Sequence, residues 1–141
     1  MPLSVARMLR AQIGENAAEF PTVEHLFSGR GLAKFYALAT NASPRSAKEI
    51  VRAYEEQNDP DAKRVLALYA GLLGTLCREL GLQYMPLNGI YFAGSVSRGL
   101  LTADFYDNVI GGKNSDGTFS DHLATIPMHV ILNDAAALSG C

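Results

Sequence analysis

The sequence predicts a predominantly helical α/β domain with two parallel strands, and three observations carry that expectation. Long stretches repeat apolar residues three and four positions apart, the period of a helix with one buried face. Two short apolar runs, residues 90–93 and 128–132, read as strands. A helix-forming stretch lies between them, so the strands should be parallel neighbours joined by a right-handed crossover. The most informative run is Gly89, Ile90, Tyr91, Phe92, Ala93, Gly94, Ser95. It is apolar without alternation, as in a strand buried on both faces, and it stops at a glycine. A strand that turns into a helix at a Gly-Ser corner presents outward backbone amides, and no Cβ blocks a ligand's approach at Gly94. Most strand-Gly-helix corners are only tight turns, and for the isolated chain that is the favoured reading of this one.

The elements follow in order. Val5, Met8, Leu9 and Ile13 set a helical rhythm that Gly14 ends, and residues 15–21 read as a loop. Thr22 is placed to cap a short helical turn over residues 23–27, with Ser28, Gly29, Arg30 and Gly31 as its stop. Another helix covers residues 32–39. Ser43 or Ser46 starts the next, over residues 47–57, with Ile50, Val51 and Tyr54 on its buried face. Asp59 caps and Pro60 opens the longest helix, to about residue 80, whose stripe includes Val65, Leu66, Tyr69, Leu72, Leu73, Leu76 and Cys77. Mid-helix Gly71 and Gly74 each cost about 1 kcal/mol relative to alanine. That cost points to a neighbour packed close against the backbone. After the first strand, residues 96–110 read as one helix, residues 111–117 as a polar loop and residues 119–123 as a short turn. The second strand follows, and residues 135–138 begin a last helical turn.

The 141 residues fit one domain, residues 1–141, and a chain of that size buries roughly two thirds of its unfolded surface. Hydrophobic residues make up 48% and charged ones 18%, an ordinary globular composition. A net charge of −2 with no basic run gives no footprint for nucleic acid. No apolar run is expected to reach the roughly 20 residues that cross a bilayer, and Arg7, Arg10 and Gln12 interrupt any signal peptide at the start. Two cysteines, Cys77 in an apolar stripe and Cys141 at the end, make no disulfide framework, so a reducing cytoplasm is expected. His25, His122 and His129 lack metal-ligand spacing, and no metal is assigned. His25 follows Glu24 directly, and adjacent helical residues point about 100° apart, which argues against an acid–base pair. Asp121 and His122 read as surface.

Four collinear stretches resemble the C-terminal half of the bacterial-type glucokinases, members of the actin-like sugar kinase superfamily. Leu9 to Gly14 resembles that family's LRAxIG helix end. Val23-Glu24-His25-Leu26-Phe27-Ser28-Gly29-Arg30-Gly31-Leu32 resembles its VExxLSGPGL segment. Gly89 to Ser95 resembles its GGVYLAGG strand, and Asp116 to Phe119 followed by Ile126 to Ile131 resembles KGRF…IPVxxI. The resemblance implies part of an actin-like, ribonuclease H-like kinase large domain. It implies a parent reaction of ATP-dependent glucose phosphorylation, with ATP and Mg2+ as cofactors.

By the same resemblance Glu24 would hydrogen-bond hydroxyls of a glucose or related hexose. Ala93, Gly94 and Ser95 would lie beside the nucleotide. From the residues alone, Glu24 is an acid in a helix's first turn, where it favours the macrodipole. Three departures stand out: Ser95 replaces a glycine, Arg30 replaces a proline, and residues 135–140 replace a PGLLG turn. The family's DxGGTN phosphate loop, catalytic aspartate and EGGH motif lie N-terminal to the matched region, and these 141 residues contain none of them. No catalytic residue is therefore assigned, and the isolated chain is expected to be inactive. The alternative is a non-catalytic sugar-binding, regulatory or dimerisation module. Two parallel strands leave unpaired edges, so a homo-oligomer or an N-terminal partner polypeptide is expected.

Overall fold

Among the described residues, helix α5 (Pro60–Tyr84) is the central packing element, and five of the other helices pack against it. The computed structural model describes residues 1–86, 88–102, 104–114 and 120–131. In chain order these are α1 (Leu3–Ile13), a 3-10 turn (Gly14–Glu19), α2 (Val23–Leu26), α3 (Gly29–Thr40), α4 (Ala47–Gln57), α5, β1 (Ile90–Phe92), α6 (Ser95–Thr102), α7 (Tyr106–Lys113), α8 (Ser120–Ala124) and β2 (Met128–Val130). The expected helical turn over residues 135–138 and the Asp116 to Phe119 stretch lie outside the described residues.

Caps explain where most helices begin. Thr22 Oγ1 accepts from His25 N at 3.3 Å and Ser28 Oγ accepts from Gly31 N at 3.0 Å. Ser46 Oγ accepts from Glu49 N at 3.2 Å and donates to Glu49 Oε1 at 3.1 Å, drawing the N3 glutamate back over the helix start. Asp59 Oδ1 accepts from both Asp61 N and Ala62 N, with Pro60 at the first helical position, as expected.

The core forms where α1, α3, α4 and α7 meet α5, through Val5, Leu9, Leu32, Phe35, Ile50, Val65, Leu66, Tyr69, Leu72 and Val109. The close neighbour that Gly71 and Gly74 call for is α7. A Cβ on Gly74 would sit 2.1 Å from Val109 O, and one on Gly112 would sit 2.5 Å from Gly71 O. The two backbones touch, and glycine on both sides makes that possible.

The two strands pair in parallel, with Ile90 opposite Met128, Tyr91 opposite His129 and Phe92 opposite Val130. Gly89 is required at the sheet's start: its φ is +108°, and a Cβ would meet Pro127 O at 2.8 Å.

Several expectations need correction. The β1 run is not buried on both faces, because Tyr91 is 60% exposed and stacks on His129 with ring centroids 4.7 Å apart. Helices cover only the other face among the described residues. Residues 96–110 are two helices, α6 and α7. The junction is fastened to α4, where Tyr54 Oη donates to Asp104 and the Tyr54 and Phe105 rings lie 4.8 Å apart. Anchoring Phe105 in the core outweighs continuous periodicity.

Gly111 to Lys113 belong to α7 rather than to a loop, held there by the contact with α5. Ser28 to Gly31 start α3 instead of only stopping α2, and residues 14–19 form the 3-10 turn. His122 is only partly exposed, with Nε2 buried and lacking a hydrogen-bond partner. Helix α5 is longer than expected, 25 residues, and by length and composition alone could cross a membrane. Its apolar face is used inside the fold instead: Leu66, Leu72, Leu73 and Leu76 are all buried, so that face is not free for an intermolecular contact.

Candidate functional site

Three chain corners meet around one cleft of about 550 Å3. The first is the α2–α3 junction. Phe27 closes α2, Ser28 caps α3, and Gly31 tucks beneath the preceding turn, where a Cβ would fall 2.0 Å from Leu26 O. Buried Tyr69 of α5 donates from Oη to that same Leu26 O at 2.9 Å, and its ring packs on Phe27 and Phe35 at 5.5 and 5.9 Å. Burial pushes the Tyr69 phenol well above its ordinary pKa, so it stays a neutral donor. This clamp fixes Gly29 and Arg30 at the cleft mouth.

The second corner is the start of α4, where Ser46, Ala47 and Lys48 line the cleft. It abuts the start of α3: a Cβ on Gly29 would lie 4.0 Å from Ala47 Cβ. The third is the β1–α6 corner. Ala93 is exposed, and Gly94 takes a φ of +101°, with nothing within 4 Å of where a Cβ would project. Gly94 O accepts from Arg98 N at 3.1 Å, which opens α6 at Ser95. The floor is apolar, formed by Leu73 and Leu100 beneath the Phe27 and Tyr69 rings.

The amino ends of α3, α4 and α6 thus border one space. Unpaired amides at such ends favour an anion. Among the described residues of the lining, Arg30 and Lys48 are the charged ones, and none is a carboxylate. Neither forms an ion pair with a described residue.

Of the residues singled out from sequence, Ala93 and Gly94 line this cleft, and Ser95 follows them at the head of α6. Glu24 does not line it. It stands exposed in the first turn of α2. Lys48 escaped the sequence reading because it lies in a run of charges that resembles an ordinary solvated helix face. The capping serine two residues before it was the available signal. Among the described residues no group of three or more His, Cys, Asp or Glu could hold a metal, and none that lines the cleft is an acidic ligand. The residues present do not fit Mg2+, which prefers carboxylate and phosphate oxygens.

A family model described as Glucokinase matches residues 4–141. The chain belongs to the glucokinase family. It is 28% identical to a glucokinase of Salmonella paratyphi C (strain RKS4594) over 141 residues, covering 96% of this chain and 42% of that protein. A Cronobacter sakazakii (strain ATCC BAA-894) glucokinase is 26% identical over the same coverage. The chain therefore spans less than half the length of these curated glucokinases. The crystal structure of a glucokinase from an Antarctic psychrotroph shares the fold, with a TM-score of 0.71 at 21% identity. That match covers 98% of this chain and 45% of the other. The expected fold, a partial actin-like kinase domain with two parallel strands and flanking helices, is borne out by that glucokinase neighbour.

Proposed function

We propose that this chain carries the nucleotide-side half of a glucokinase, whose complete reaction is ATP-dependent phosphorylation of glucose. The supporting observation is the cleft itself. An open glycine corner after β1 faces two capped helix starts across an apolar floor, a shape and polarity suited to a nucleotide. Ala93, Gly94 and Ser95 would border the nucleotide. Exposed Glu24, outside this cleft, would receive the hydroxyls of glucose or a related hexose. The metal and the group that accepts the hydroxyl proton would come from residues outside these 141, because the phosphate-loop and EGGH motifs are absent here.

A coupled sugar-phosphorylation assay tests this reading. The 141 residues alone should give no turnover, and a polypeptide carrying DxGGTN and EGGH should restore it. Turnover by the isolated chain would overturn the assignment of the catalytic base elsewhere. Calorimetry should detect an adenine nucleotide with the chain alone. Together with the polypeptide that restores turnover, Glu24→Ala should weaken glucose binding relative to the unaltered chain.

A second reading is a non-catalytic sugar-binding, regulatory or dimerisation module. It is favoured by the exposed Tyr91–His129 face. Sugar binding without any partner-dependent turnover would select it. Under either reading the protein works in a reducing cytoplasm.

A further inference from the structure

The SGPGL segment to which this chain is similar has a proline where Arg30 stands, and Arg30 lines the cleft together with Lys48. The two cations come from different helices, α3 and α4, whose starts abut at Gly29 and Ala47. Among the described residues no carboxylate lines the cleft, and neither cation forms an ion pair. Two cations lining one cleft favour an anion that can interact with both. The floor beneath them is apolar and aromatic, so the complementary ligand has a flat apolar part and a multiply charged tail.

We propose that Arg30 and Lys48 act as a clamp for the phosphate chain of a nucleoside di- or triphosphate, giving these 141 residues affinity for it without a divalent cation. This rests on the nucleotide reading of the cleft and adds to it the residues that recognise charge. Arginine suits the role because its planar fork can hold two phosphate oxygens at once, while lysine contributes a mobile point charge. Both side chains are exposed, so changing them leaves the core untouched. Arg30 also sits in the first turn of α3, where a backbone N–H has no intrahelical partner. Arg30→Pro, the residue of the similar segment, therefore fits the helix.

The test is equilibrium binding to adenosine, AMP, ADP, ATP and inorganic tripolyphosphate, in low salt with EDTA. It is run on the unaltered chain, Arg30→Pro, and the double variant Arg30→Gln with Lys48→Gln, each first shown by thermal melting to be folded. Affinity should rise from adenosine to ATP. The double variant should lose roughly tenfold or more for ATP, as expected for removing charged hydrogen-bonding partners, while adenosine is unchanged. Equal affinities for adenosine and ATP, unaltered in the variants, would overturn the clamp and leave the nucleotide reading intact. Tripolyphosphate binding that the double variant abolishes, with no adenosine binding, would sustain the clamp and remove the nucleoside. Silence with every compound would overturn both.

Discussion

Gly31 illustrates how one residue can fix a segment. Its missing Cβ lets the α2 carbonyls of His25 and Leu26 rest on α3, and Tyr69 then ties the same turn to α5. Gly31→Ala would place a carbon 2.0 Å from Leu26 O. The expected loss is about 1–3 kcal/mol, the range for overpacking, measured by urea unfolding. Tyr69→Phe keeps the ring and leaves Leu26 O unpaired, for an expected loss of about 1–3 kcal/mol.

Cys77 is a second residue-scale case. Burial pushes its thiol from 9.0 to about 12. In a Cys141→Ser background it should resist alkylation at pH 8 until the protein unfolds. The folded pKa lies above the unfolded one, so the stabilising contribution is complete below pH 9. It is lost as pH rises towards 12, by up to about 1.4 kcal/mol per unit. Alkaline unfolding of Cys77→Ala should lack that component.

Among the elements, the α5–α7 seam is the most exacting. Gly74→Ala and Gly112→Ala insert carbons 2.1 Å and 2.5 Å from facing carbonyl oxygens. Each should cost about 1–3 kcal/mol and lower the melting temperature. Gly111→Ala is the control on the same helix, since a Cβ there meets nothing within 4 Å. It should be neutral or stabilising by about 0.5–1 kcal/mol, through helix propensity and reduced unfolded-state freedom. If all three behave alike, close backbone packing is not what the glycines provide. The seam was half legible from sequence. Glycines within the leucine stripe called for a close neighbour, but α7 itself was hidden because Gly111 and Gly112 read as a loop.

At the scale of the whole molecule, the sheet of the described residues has two parallel strands and an exposed Tyr91–His129 face. Parallel strands are ordinarily covered on both faces and paired on both edges. The chain should therefore self-associate or bind a polypeptide that supplies further strands. Replacing Tyr91 and His129 with serine should weaken that association. Sedimentation as a monomer with cooperative unfolding would count against it. The cleft lies elsewhere, between helix starts and the β1–α6 corner, so nucleotide binding and sheet completion can be measured separately.

The sequence by itself determined the local signals: caps at Thr22 and at Asp59 with Pro60, a serine cap at position 43 or 46, the apolar stripe of α5, two parallel strands and the glycine corner at Gly94. These depend on neighbours a few residues apart, so chain order suffices. It also carried the family likeness in short motifs. Only the tertiary structure decided that the start of α4 joins the corner at Gly94, that Lys48 and Arg30 share a cleft which Glu24 does not line, and that Phe105 breaks the α6–α7 run. Those outcomes depend on which distant surfaces pack together. That packing is governed by contacts such as Gly74 against Val109 and Tyr69 against Leu26, which join residues dozens of positions apart.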